Sequence, residues 1–329
     1  MNINHRNSRR PIPHRVRVVV LCAPLALLPW AMGAATVGRL QVVLDLGQPL
    51  LQWSNTVGQA YAIQSATNAG VPAWQTEATI TADAASVTWL DERLPDRARF
   101  YRVAVSTNPA PFQSLQQALQ RACTNQGIIG ASAAVVLPSQ GLWLGTYGQA
   151  HGTNPARPHT SFEIGSVTKT FVAATILRLA EEGRLTLEDT VGQWLPTLNH
   201  PNISPSITIR QLLNHWAGTY NFGDDPDFRM ALFSDWSRYW QPEEVLNYVK
   251  TPYHSPGAGS EYSNTGYVLL GMIIRSATGS TVAAEMRRTV WDRAGLRSTV
   301  MGAEENWRGT LADPHLDFNG DGIHEALGD

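Results

Sequence analysis

Phe162-Glu163-Ile164-Gly165-Ser166-Val167-Thr168-Lys169-Thr170-Phe171 is the stretch on which the reading of this chain turns. It begins an otherwise apolar segment that predicts a helix from about Ser166 to Glu182, stopped by Gly183 at the usual C-terminal position. Two residues three apart on a helix share a face, so Ser166 and Lys169 come within reach of each other. A serine hydroxyl is a weak nucleophile until a base takes its proton. A desolvated lysine has its pKa lowered toward that task, and its charge favours a nascent alkoxide. At a helix start Ser166 also meets the positive end of the macrodipole, and its N–H can face a developing oxyanion. Ser-x-x-Lys alone reads more readily as a capping serine beside a solvated lysine.

Context shifts that balance. Of 25 Lys plus Arg, only Lys169 and Lys250 are lysine. Nucleotide bias in a genome would produce such a skew, but arginine cannot give up its proton near neutral pH whereas a buried lysine can. One of the two lysines stands where the serine needs it.

Further along runs Pro256-Gly257-Ala258-Gly259-Ser260-Glu261-Tyr262-Ser263-Asn264-Thr265-Gly266-Tyr267. A Gly/Pro-rich loop here delivers Tyr262 and Asn264, two residues apart, just before an apolar helix. A phenol beside Lys169 can shuttle a proton between Ser166 and a leaving group. Asn264 can hold Lys169 by its carbonyl oxygen and a substrate by its amide. The plainer reading is a turn whose tyrosine packs and whose asparagine caps the next helix.

Together these segments resemble the serine β-lactamase and penicillin-binding-protein family, which includes D-alanyl-D-alanine carboxypeptidases and esterases. The Tyr-Ser-Asn form of the second motif is most similar to class C β-lactamases. The resemblance runs from about Phe112 to Val300. It includes Gly183-Arg184-Leu185-Thr186-Leu187-Glu188-Asp189, Ile207-Thr208-Ile209-Arg210-Gln211-Leu212-Leu213-Asn214-His215 and Gly295-Leu296. It implies Ser166 as nucleophile, Lys169 as its activating partner, Tyr262 as general base and acid, and Asn264 as a positioning, substrate-binding residue. It also implies a hydrolase that works through an acyl-enzyme on a β-lactam, a peptidoglycan peptide or an ester, with no cofactor. Members of the family carry a third motif, Lys or His followed by Ser/Thr and Gly, on a strand after Tyr-x-Asn. None occurs between Asn264 and Asp329, so the expectation is a hydrolase domain lacking its C-terminal strands. A non-catalytic exported binding or adhesion protein with a truncated domain is the alternative.

Upstream the periodicity is different. Leu40–Leu46, Leu50–Ser54, Ala60–Ser65, Trp74–Ile80, Ser86–Leu90 and Phe100–Val105 are short β-segments between turn residues, several alternating with period two. They predict a small β-sandwich over residues 36–108. With Trp53 early and Phe100-Tyr101-Arg102-Val103 on the last strand, it resembles a fibronectin type III-like module. Ser106–Pro111 reads as the linker. The hydrolase domain, 109–329, is then an α/β domain: a helix marked by Phe112, Leu115, Leu119 and Cys123, an antiparallel hairpin around Pro138–Gly141, and further helices. Those helices are Ile209–Asn214, Pro242–Val249, Tyr267–Ala277 and Val282–Ala294.

The N-terminus, 1–35, reads as a signal peptide. Arg6, Arg9, Arg10, Arg15 and Arg17 precede an apolar run from Val18 to Met32 and the small residues Gly33, Ala34 and Ala35. That implies a periplasmic or secreted protein, in which Cys22 leaves with the signal and Cys123 is a buried helix residue. Hydrophobic residues form 43% of the 329, charged ones 16%, and the net charge is −2. This suits a folded chain and gives no basic face for nucleic acid. The expected partners are a small-molecule or peptidoglycan-derived substrate, with cell-envelope association and a monomeric state. No His/Cys cluster has metal-ligand spacing. Asp317, Asn319 and Asp321 resemble the first half of a calcium loop, without its closing Glu. His215 reads as a histidine hydrogen-bonded locally at a helix end.

Overall fold

Period-two alternation builds the first part of the chain. The computed structural model describes residues 40–313 apart from 46–47, 69–71, 84, 92, 94–98, 108, 138–140, 236–237, 303 and 307–308, with the backbone of three short outlying strands. The first of those strands, β1 (Val18–Val20), pairs in parallel with residues 99–101. The rest of the N-terminal apolar run, Cys22 included, lies outside the described residues, as do Asp317, Asn319 and Asp321.

The strands β2 (Leu40–Asp45), β3 (Gln48–Ser54), β4 (Ala60–Ala66), β5 (Gln75–Thr81), β6 (Ser86–Leu90) and β7 (Arg99–Val105) follow the predicted segments to within two residues. β2, β3 and β6 form one antiparallel sheet; β7, β4 and β5 form part of another. Residues of both sheets meet in one core, with Leu51, Trp53, Tyr61, Ile63, Ala78 and Tyr101 all but fully buried. Trp53 packs edge-on to Tyr61, ring centroids 6.3 Å apart. Tyr101 brings a hydroxyl into this core and Asp91 meets it: Oη donates to Asp91 Oδ2 at 2.7 Å, and Arg93 Nε donates to Oδ1 at 2.7 Å. Burial pushes the Asp91 carboxyl up, but the bonds from Arg93 and Tyr101 outweigh it and hold the carboxyl below its ordinary value.

The second sheet continues past the linker. Helix α1 (Ala110–Asn125) follows, then the hairpin β8 (Gly130–Leu137) and β9 (Gly141–His151), with β10 (Asn154–Pro155) on the end of β9. β9 pairs in parallel with β5, Thr79 opposite Trp143 and Ile80 opposite Leu144. Phe112 of α1 packs with Trp143 and Ala60 in a small core, and Cys123 is buried as expected, its thiol pushed up by burial. By its contacts the chain divides into two compact units, one of residues 1–160 with short C-terminal pieces and one centred on 161–309. The boundary expected near residue 108 therefore falls inside the first unit.

The second unit is helical. It contains α2 (Thr168–Glu181), α3 (Val191–Trp194), α4 (Ile209–Leu213), α5 (Pro226–Ser234), α6 (Pro242–Leu246), α7 (Asn264–Thr278), α8 (Val282–Met286) and α9 (Asp292–Ala294). A π-helical stretch, Arg287–Trp291, joins α8 to α9. Ile176 and Leu179 of α2, Ile209 and Leu212 of α4, and Leu269, Leu270, Ile273 and Ile274 of α7 are fully buried in a single core. That packing sets α2 against α7 and so fixes where their N-terminal ends meet. Gly183 ends α2 with φ +69°, the left-handed conformation glycine adopts without penalty. Among the described residues no single helix is long and apolar enough to cross a membrane.

Candidate active site

A left-handed glycine prepares the position of Ser166. Gly165 has φ +47° and leads into a 3-10 turn, Gly165–Val167, that carries Ser166 just ahead of α2. The predicted helix start thus falls two residues later, and Ser166 stands exposed at the end of a 14-residue helix. Lys169, in the first turn and half-buried, reaches back: Nζ donates to Ser166 Oγ at 3.1 Å and to Asn264 Oδ1 at 2.7 Å. The same ammonium lies 5.0 Å from the ring centre of Tyr262 and 5.5 Å from that of Tyr267, a separation at which the negative ring faces attract it. Tyr262 Oη is 2.7 Å from Ser166 Oγ. The four residues singled out from sequence are therefore linked in one run of hydrogen bonds, Tyr262 to Ser166 to Lys169 to Asn264.

Tyr262 and Asn264 are held by a segment of the chain some forty residues earlier. Glu261 N–H donates to the carbonyl of His215 at 2.9 Å, and Ser263 N–H donates to His215 Nδ1 at 3.3 Å. Asn264 N–H donates to Asn221 Oδ1 at 3.0 Å, and Thr265 Oγ1 donates to the carbonyl of Tyr220 at 2.6 Å. Residues 215–221 thus act as a template along which 261–265 is laid, pinned on both sides of Tyr262. The template needs Gly218: its φ is +71°, and a Cβ there would lie 2.2 Å from the carbonyl oxygen of His254.

His215 is the one non-glycine among the described residues with a left-handed backbone, φ 62°. Its N–H bonds locally, to the Leu212 carbonyl at the end of α4, as expected, but its side chain reaches Ser263. Because Nδ1 accepts a hydrogen bond, the neutral ring carries its proton on Nε2. Burial, and then the charge of Lys169, push its pKa below the ordinary histidine value. A neutral ring with Nδ1 already engaged is a support for Tyr262 rather than a base for Ser166. For Tyr262, burial alone would raise the phenol's pKa. Hydrogen bonds with Lys169 and Ser166, and the Lys169 charge, outweigh burial and bring it below the ordinary value.

His215, Tyr220, Asn221 and Tyr267 carry no spacing signal toward this site. Within the resemblance, only the segments ending in His215 and in Tyr267 touched two of them. Among the described residues, no group of three or more His, Cys, Asp or Glu side chains could hold a metal ion.

Known proteins resemble this chain over much of its length. The Beta-lactamase family profile matches residues 113–322. Penicillin-binding protein 4* of Bacillus subtilis (strain 168) is 33% identical over 175 residues, 50% of this chain and 37% of that protein. A D-stereospecific amidohydrolase from Streptomyces sp. superposes with a TM-score of 0.57 at 30% identity, covering 67% of this chain and 64% of that one. The D-amino acid amidase from Ochrobactrum anthropi SV3, complexed with L-phenylalanine amide, gives 0.56 at 27% identity, over 66% and 61%. The chain spans little more than a third of the length of its Bacillus relative and less than two thirds of either solved structure.

Proposed function

Because the chain belongs to the Beta-lactamase family, we propose that it is a serine hydrolase that cleaves an amide next to a D-configured residue, through an acyl-enzyme on Ser166. The observation that carries this reading is the pair of contacts at the serine oxygen, 2.7 Å to Tyr262 Oη and 3.1 Å to Lys169 Nζ. In the attacking state Tyr262 is a phenolate, kept accessible by the neighbouring ammonium. It takes the Ser166 hydroxyl proton as Oγ bonds to the substrate carbonyl carbon, whose π electrons move onto oxygen. Collapse of that tetrahedral adduct breaks the C–N bond, and the departing nitrogen takes the proton back from Tyr262. Water then repeats the sequence on the ester, releasing the acid and restoring Ser166. Asn264 holds Lys169 in place beside the serine oxygen. The D-preference is supported by similarity to the Streptomyces amidohydrolase and the Ochrobactrum amidase. Similarity to a penicillin-binding protein supports a peptidoglycan-like peptide as the natural form of such an amide.

Two further readings belong to the proposal. The N-terminal strands form a fibronectin type III-like sandwich, supported by the single core to which both sheets contribute. Export to the periplasm or beyond rests on the Arg-rich, apolar N-terminus. The decisive experiment is labelling with a fluorophosphonate and with a fluorescent penicillin. Covalent modification at Ser166, absent in Ser166→Ala, together with faster release of ammonia from D- than from L-amino acid amides, is the expected result. No labelling by either probe would favour a non-catalytic binding role.

A further inference from the structure

A cleft of about 350 Å³ lies beside the catalytic group in the helical unit, and Lys169 and Asn264 are two of its lining residues. Its walls are mainly apolar, with aromatic rings from Phe222, Tyr239 and Trp240 beside Val245, Val268 and Met301. Small-molecule sites span roughly 300–1,000 Å³, so this one has room for a substituent rather than an extended peptide. Arg275 and Glu304 on its lining neutralise each other. Arg275 Nη2 donates to Glu304 Oε1 at 2.9 Å, while Glu304 Oε2 accepts from Ala283 N–H at 2.7 Å. Lys169 is engaged with Ser166 and Asn264. One donor is left over: Trp240 Nε1 is buried with no acceptor among the described residues.

From this we infer that the cleft is the side-chain subsite of the enzyme. It selects amides whose acyl residue carries a large apolar side chain, aromatic by preference. A cleft lined by the lysine that contacts the nucleophile is within reach of a group one or two bonds from the scissile carbonyl. An unpaired carboxylate there would penalise an apolar occupant, and the lining carboxylate Glu304 is bonded on both oxygens, to Arg275 and to Ala283 N–H. Aromatic walls favour an aromatic guest through edge-to-face contact beyond its buried area. The inference rests on the hydrolase reading above.

Gly271 provides the test. It lines the cleft from α7, and a Cβ added there meets only Val282 Cγ2, at 3.7 Å. Gly271→Leu therefore fills the cleft without a backbone clash, and leucine is a better helix residue than glycine. The substrates are p-nitroanilides of D-alanine, D-leucine and D-phenylalanine, with a second series that varies the amine instead. We expect kcat/KM to favour D-phenylalanine over D-alanine by about tenfold or more, the usual scale for hydrophobic pocket discrimination. Gly271→Leu should bring that ratio close to one, with Gly271→Ala between. Equal rates across the acyl series, a preference that follows the amine instead, or a Gly271→Leu ratio like the parent's would overturn the inference.

A second readout separates this from failure of the catalytic reading. Full-length Ser166→Ala, titrated with D-phenylalanine amide and D-alanine amide by tryptophan fluorescence, reports binding without turnover. Tighter binding of the phenylalanine compound, weakened tenfold or more by adding Gly271→Leu, upholds the subsite even if Ser166 resists every probe. Equal binding of the two amides, or no binding, removes it.

Discussion

The imidazole of His215 lies 4.7 Å from the ring of Tyr262, the two planes tilted by 34°. The same residue accepts hydrogen bonds from the N–H groups on both sides of that tyrosine, one through its carbonyl and one through Nδ1. A single residue therefore fixes both the backbone and the ring of the group that faces Ser166. His215→Asn preserves a side chain tolerant of the left-handed backbone but removes the ring. We expect slower acylation by a fluorophosphonate, by about tenfold or more, since small misplacements of a catalytic group are costly. Circular dichroism should show the fold retained. An acylation rate equal to the parent's would show that Tyr262 needs no such support.

The histidine also makes stability depend on pH. Its pKa is depressed on folding, so between the folded value and the unfolded value of about 6.5 the unfolded chain binds more protons. Stability is then fully present above the unfolded value and falls as pH drops below it. Thermal melts should show a loss on the acid side that is smaller in His215→Phe. Parallel melting curves for the two proteins from neutral to mildly acid pH would contradict this.

Tyr262 gives a prediction of opposite chemistry. Its phenol is brought below the ordinary value of about 10 by its bonds with Lys169 and Ser166 and by the lysine charge, against burial. The rising limb of acylation against pH should accordingly sit below that value. Lys169→Met leaves burial with less to oppose it, so the tyrosinate absorbance step should move to higher pH. Tyr262→Phe should lower acylation by about 10²–10⁴, the range for loss of a general base. An unmoved tyrosinate step in Lys169→Met would refute the electrostatic account.

Asn221 is buried and holds the first N–H of α7. Asn221→Ala leaves that N–H unsatisfied, at a cost of about 1–3 kcal/mol, read as a lower urea midpoint. The same change frees Asn264, so turnover should drop more than the midpoint alone explains. Retention of both stability and turnover would mean water replaces the asparagine.

Gly218→Ala tests the template itself. The new methyl would press on the His254 carbonyl, and φ +71° disfavours any side chain. Destabilisation beyond about 1 kcal/mol is expected, together with reduced Ser166 labelling. A neutral result would place the strain elsewhere.

Much of the fold was legible because it is written in short periods. β3 and β6 alternate between core and surface, and the ends of β2 to β7 were readable to within two residues from turn-forming neighbours. α3 and α5 went unread although each has a local signal: Thr190 and Gln193 form a capping box, and Asp225-Pro226 is a cap followed by proline at the first helical position. Both helices are too short for periodicity to reveal. At the site, Ser166 with Lys169, and Tyr262 with Asn264, are close in sequence as pairs, and pairs are what spacing shows. His215 and Asn221 act through bonds to residues more than forty positions away, and no local pattern encodes that. The cleft beside Lys169 was likewise invisible, since its walls come from six separate stretches of chain.

The parallel register of β5 with β9 bears on how this protein can be dissected. Severing the chain at the proline-rich linker would strip β9 of a neighbour and uncover a raw sheet edge. An apolar strand stripped in this way tends to recruit another chain. The N-terminal strands are thus no detachable ornament on a self-sufficient hydrolase: a trimmed protein begun at residue 109 should be prone to clump, whatever its catalytic group retains.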